Sequence, residues 1–143
     1  MTHTRRTGLS LTVDALNIRL RIGLEPERNP ELVDAVAGQL PLTSPMGHVV
    51  VSGEGIWLPS RLVYLGEPRM VQRQKGSVYI NAPGQSICMT YGHVTETAVV
   101  NQFGMVSEED FDALEKLGQA VWKMTVEQPR RVSVVARLEW LAA

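Results

Sequence analysis

From Leu16 to Leu24 the chain alternates, with Leu16, Ile18, Leu20 and Ile22 on one side and Asn17, Arg19 and Arg21 on the other. That period of two predicts a half-buried strand. At Asn29-Pro30-Glu31 the period changes. Asparagine offers an N-cap and proline a first helical position, and Leu32, Val33, Val36 and Leu40 supply the apolar face of a short helix ending near Pro41. From Gly47 to Ile80, short β-branched and aromatic runs (HVVVS, GIWLP, RLVYL, SVYI) are punctuated by Gly53, Pro59, Gly66, Pro68 and Gly76, which predicts several short strands. Ile87 to Tyr91 and Thr97 to Met105 add two more. Ser107-Glu108-Glu109-Asp110 has the form of a capping box, and Phe111, Leu114, Leu117 and Val121 behind it predict a second amphipathic helix to about Met124. After Pro129 the alternation returns, with Val132, Val134, Ala136 and Leu138 facing one way, as a closing strand requires.

Strand, helix, many strands, helix, strand is the order of a mainly β protein. Closing its antiparallel sheet into a β-barrel would remove the exposed edges, and two flanking helices could cover the open ends. The expected organisation is a disordered tail over residues 1–9 and a single domain over 10–143, without internal repeats. The apolar strand from Thr97 to Met105 offers a surface through which two copies could pair as a homodimer.

Charge narrows the function classes. With 14 Lys+Arg against 15 Asp+Glu and no basic run, the chain has nothing with which to neutralise phosphates, so nucleic acid is not an expected partner. No stretch approaches the roughly 20 apolar residues of a membrane span, and the residues after Arg5 and Arg6 are broken by Thr12, Asp14 and Asn17, a poor signal-peptide core. A cytoplasmic protein is expected. The single cysteine, Cys88, lies between Ile87 and Met89 and reads as a small buried hydrophobe. Gly84-Gln85-Ser86 lacks the following glycine of a nucleophile elbow, and no phosphate-cradling glycine loop is present. His48 and His93 have no third ligand at metal-like spacing, so no metal and no cofactor are expected.

Two polar clusters stand out against this background, Ser52-Gly53-Glu54-Gly55 and Thr90-Tyr91-Gly92-His93. With the segments Gly53-Glu54-Gly55-Ile56-Trp57-Leu58-Pro59, Gly76-Ser77-Val78-Tyr79-Ile80, Pro83 to Gly92 and Ala98 to Gly104, the chain resembles the bacterial cyclophilin-like proteins, a closed antiparallel barrel with two helices. It lacks the arginine and aromatic pattern of true prolyl isomerases, which argues against peptidyl-prolyl isomerisation. The stretches His48 to Glu54 and Thr90 to Glu96 look most like the cucumopine synthase group and the small Pictet-Spenglerases of bacterial alkaloid pathways. Those enzymes join an amino acid with an electron-rich heteroaromatic ring to a carbonyl compound. Cucumopine synthases carry a further helical region that this chain lacks, so the resemblance favours tryptophan or a related indole amine over histidine.

The resemblance implies a cofactor-independent cyclase that gives a tetrahydro-β-carboline from the indole amine and an aldehyde or 2-oxo acid. A non-catalytic binding module that uses the same cavity is the alternative. Cyclisation needs an acid to release water and a base to take the ring proton, and one carboxylate can serve both steps. Glu54, between two glycines, is the first candidate, with Glu96 as the other acid. His93 and His48 could shuttle protons, and Tyr91 could donate to a carbonyl or carboxylate oxygen. Thr90 and Tyr91 alternate, so only one of them can face the interior. Arg61 could hold a substrate carboxylate, and Trp57 could stack on an indole from the barrel wall.

Overall fold

The computed structural model describes residues 7–50, 53–81, 85–95 and 98–141. In chain order the elements are β1 (Gly8–Val13), a 3-10 turn (Asp14–Leu16), β2 (Ile18–Leu24), α1 (Pro30–Ala37), β3 (Leu42–Pro45), β4 (Gly47–His48), β5 (Gly53–Pro59), β6 (Met70–Gln72), β7 (Ser77–Asn81), β8 (Ser86–Val94), β9 (Val99–Val106), a 3-10 turn (Glu108–Asp110), α2 (Phe111–Trp122), a π-helical segment (Lys123–Glu127) and β10 (Val135–Trp140).

The ten strands form one antiparallel sheet in the order β3-β10-β1-β2-β9-β7-β8-β5-β4, with β6 also paired to β9. The two ends of this path, β3 and β4, are separated in the chain by Met46 alone. Buried Met46 donates its N–H to Val134 O at 2.7 Å, so the chain itself carries the sheet round to a nearly closed barrel. Every second residue of the strands points inward. Leu9, Leu11, Val13, Leu20, Ile56, Leu58, Val78 and Phe103 are fully buried there, each contributing on the order of 1.5–3 kcal/mol of apolar burial.

Several expectations shift by a few residues for local reasons. β1 begins at Gly8, within the segment expected to be a tail, because Leu9 and Leu11 pair with Ile22 and Leu20 and complete the interior. Residues 1–6 lie outside the described residues. Leu16 falls in the 3-10 turn joining β1 to β2, which Asn17 closes in the left-handed region (φ 53°), a conformation that asparagine tolerates. The run Arg61 to Leu65 is irregular chain and not a strand. Only Leu62 of that run is buried, and Tyr64 is tied by its hydroxyl to Glu67 O and Asn29 Oδ1. β9 pairs with β7 on one side and with β2 and β6 on the other, so the strand considered for pairing between copies is engaged inside the sheet.

Asn29 caps α1 as expected, accepting from Leu32 N–H, and Leu32, Val33 and Val36 face the core. At α2 the capping box does not form. Ser107 makes no side-chain cap bond, and Asp110 accepts from the backbone and guanidinium of Arg21, tying the start of the helix to β2. Leu114, Leu117, Gly118 and Val121 press α2 over one mouth of the barrel, against β2, β4, β5 and β8. Among the described residues no helix is long and apolar enough to cross a membrane.

Candidate functional site

The register between β5 and β8 breaks at one point. Gly53 pairs with Val94 and Gly55 with Thr90, so the single residue Glu54 stands opposite Tyr91, Gly92 and His93. Gly53 makes this possible: its φ is 107°, and a side chain there would overlap the carbonyl oxygen of His93. Glu54 then folds over Gly92, and its Oε1 accepts the backbone N–H of His93 at 2.7 Å. A Cβ at position 92 would occupy the place of that carboxylate. The two glycine-containing clusters are thus one structure.

His48, on the two-residue strand β4, approaches the same place from the other side. Its Nε2 lies 2.6 Å from the Tyr91 hydroxyl, and its Nδ1 faces Val49 O. A carbonyl oxygen only accepts, so Nδ1 carries the proton and Nε2 accepts from the Tyr91 O–H; the hydrogen-bond network assigns the tautomer. The imidazole also meets the ring of Tyr91 edge-on at 5.4 Å and that of Trp122 at 4.8 Å. Burial holds the His48 pKa below its ordinary value, although the Val49 carbonyl and the charge of Glu54 pull upward. Burial, with the charge of Glu54 adding to it, pushes the Tyr91 phenol up to about 12. Both members of the pair are therefore neutral near pH 7.

These groups open into a cavity of about 670 Å³, within the roughly 300–1,000 Å³ range of small-molecule sites. His48, Val49, Val50, Gly53, Glu54 and Tyr91 form its barrel wall. Lys116, Gln119, Ala120, Trp122, Lys123 and Glu127 form its helical wall. α2 can lie this close because Gly118 presents no side chain to the ring of Tyr91, which a Cβ would overlap. The turn widens into the π-helical segment directly after Trp122, a local distortion frequent at functional sites.

The helical wall did not emerge from the sequence reading. Lys116, Gln119 and Lys123 look like the solvated stripe of an amphipathic helix; the one available signal was Trp122, a large aromatic flanking that stripe.

The remaining expected residues lie elsewhere. His93 contributes its backbone N–H to Glu54, while its exposed side chain does not line the cavity. Trp57 is on the outer face of the barrel, packed against Tyr79, Cys88 and Val100, where the absent side chain of Gly47 makes room for its ring. Arg61 is exposed beyond Pro59, at the end of β5 away from Glu54. Pro59 lies five residue steps along the strand from Glu54, about 17 Å at the usual rise, and Arg61 is not part of the cavity wall. Glu96 and Ser52 lie outside the described residues. Tyr91 faces the interior, whereas Thr90, on the opposite face, is also buried, with no partner for its hydroxyl among the described residues.

Among the described residues no group of three His, Cys, Asp or Glu could hold a metal ion. Burial pushes the Cys88 thiol up to about 12, against a smaller opposing pull from Arg73, so it carries no thiolate at neutral pH.

The sequence profile of the cyclophilin-like family matches residues 24–127. The chain belongs to the cyclophilin-like family. No curated protein matches it by sequence. Among solved structures, this cyclophilin-like chain superposes on McbB in complex with tryptophan with a TM-score of 0.84 and 29% identity, over 94% of this chain and 45% of that one. The chain thus spans about half the length of McbB. The hypothetical protein AF2241 from Archaeoglobus fulgidus matches with a TM-score of 0.63 and 19% identity, over 98% of this chain and 100% of that one. The Mimivirus cyclophilin matches with 0.50 and 12%, over 98% and 90%. These last two likenesses speak to the barrel alone.

Proposed function

We propose that this cyclophilin-like chain is a cofactor-independent Pictet-Spengler cyclase acting on tryptophan or a close indole analogue. The observation that carries the reading is the convergence of the Glu54 carboxylate with the neutral His48–Tyr91 pair in one cavity walled by Trp122. The structural likeness to tryptophan-bound McbB supports the choice of an indole.

In this reading the Glu54 carboxylate takes a proton from the substrate ammonium, the freed amine adds to the carbonyl compound, and the carbinolamine loses hydroxide as water with that same proton from Glu54. The carboxylate left behind stabilises the iminium, an effect that grows as the substrate displaces water. The indole ring carbon then attacks the iminium carbon, and Glu54 removes the proton from that ring carbon, which restores aromaticity and the acid. The hydroxyl proton of Tyr91 is engaged by His48, so its oxygen presents lone pairs to the substrate N–H. Trp122 offers the flat apolar surface against which an indole packs.

The test is to incubate purified protein with tryptophan and either 2-oxoglutarate or a small aldehyde, and to follow the tetrahydro-β-carboline by mass spectrometry. The expected result is product formation faster than in the protein-free mixture. No excess rate with any of several carbonyl partners would reject the reading.

A further inference from the structure

We propose that Lys116 and Lys123 form a carboxylate clamp that makes the cavity selective for α-amino acids over the corresponding decarboxylated amines. The inference rests on the indole-binding reading above and gives that site its specificity. The two lysines are seven residues apart on one face of the helical wall, about 10 Å along the axis at the usual helical rise. Both line the cavity, with Gln119 and Ala120 between them. The opposite face, through Leu114, Leu117 and Val121, is committed to the core.

Neither lysine is neutralised. Among the described residues neither ammonium group makes an ion pair or hydrogen bond, although acids lie within reach along the helix. Asp112, one turn before Lys116, is not paired with it, and the neighbouring Glu115 turns away to Lys75 at 3.0 Å. Glu127, the acid that lines this wall, makes no ion pair with Lys123. Across the cavity stands the carboxylate of Glu54, which accepts a hydrogen bond from the backbone N–H of His93. The helical wall therefore offers two unpaired cations beside the single acid Glu127, and the barrel wall offers the carboxylate of Glu54.

A zwitterion matches both walls, with its ammonium towards Glu54 and its carboxylate towards a lysine. A decarboxylated amine leaves the lysines unanswered, and an indole acid without an amine leaves Glu54 unanswered. Because the lysines are solvent-exposed, each supplies a screened point charge and not a bidentate fork, so the preference should fall with salt.

The test is calorimetric titration of the full chain at low ionic strength with tryptophan, tryptamine and indole-3-propionate. Tryptophan is expected to bind about tenfold more tightly than tryptamine, a margin in keeping with one or two screened charge-assisted contacts. The Lys116→Gln/Lys123→Gln double variant, altered only at exposed positions, should lose about that factor for tryptophan and stay within about twofold for tryptamine. Lys116→Arg/Lys123→Arg should restore the preference, and salt should narrow it. Equal binding of tryptophan and tryptamine, or an unchanged preference in the glutamine variant, would overturn the clamp and leave the indole site standing. Absence of binding by all three ligands would instead overturn the functional reading beneath it, and the clamp with it.

Discussion

The phenolic hydroxyl of Tyr91 lies 2.6 Å from Nε2 of His48, joining β8 to β4 at the mouth of the barrel although the two strands share no ladder. A carbonyl on the other side of the imidazole fixes which nitrogen carries the proton. This pair, with Glu54 beside it, sets the chemistry of the cavity, and each part of the arrangement makes a separate prediction.

Glu54→Gln keeps the shape and the hydrogen bond from His93 while removing the charge. Turnover should fall by about 10²–10⁴-fold, the usual worth of a positioned acid or base, with tryptophan affinity changed far less. Single-turnover kinetics beside calorimetry would separate the two effects. A variant that keeps its rate would remove Glu54 from the mechanism, and wild-type binding without any turnover would favour a binding module.

The titration of the pair should be visible in stability. His48 has a folded pKa below its unfolded value near 6.5, so the unfolded chain binds more protons just below that pH. Stability is present above about pH 6.5 and declines as the pH falls towards the folded pKa. Tyr91 has the opposite sign: its folded pKa is raised to about 12, so its contribution is intact below about pH 10 and is lost as the pH rises through 12. Denaturant midpoints measured across both windows should show these slopes. His48→Gln should flatten the acid slope, and Tyr91→Phe should remove one late-titrating phenol from the ultraviolet absorbance titration.

Two glycines position the groups without touching substrate. Gly118→Ala should gain up to about 1 kcal/mol in helix propensity but force apart α2 and the Tyr91 ring, an overpacking cost of about 1–3 kcal/mol. The clash involves ring atoms close to the backbone, so the net change should be destabilising, read as a lower melting temperature. Gly92→Ala should displace only the Glu54 carboxylate. It should therefore lower kcat with less than about 1 kcal/mol lost in stability, as expected where a side chain can swing outward.

The tryptophans divide by face. Trp122→Ala should weaken tryptophan binding by about tenfold, in the range of a lost aromatic contact, whereas Trp57→Ala should leave affinity within about twofold and lower stability instead. Equal effects on binding would place the ligand on the outer face of the barrel.

Much of the barrel can be read from the sequence because burial repeats along it. The alternation of Leu20 and Ile22, the capping Asn29-Pro30 pair and the stripe Leu114, Leu117 and Val121 are local patterns, and each became the element it predicts. Gly53 and Gly92 also announce places where a backbone bends or a neighbour comes close. Trp57 and Trp122 show where such reading stops. Both are half-buried aromatics in periodic segments, yet one packs on the outer wall and the other lines the cavity.

Periodicity states that a residue has a buried face but not what lies opposite it. The sequence by itself determined the antiparallel barrel class, the two helices and the loops able to hold a polar site, since these follow from hydrophobic period and turn chemistry over a few neighbouring residues. Only the tertiary structure decided that α2 would close the mouth beside Glu54, that His48 would meet Tyr91, and that Lys116 and Lys123 would face a cavity. Those juxtapositions depend on sheet register and on helix approach, which residues distant in sequence set together through packing.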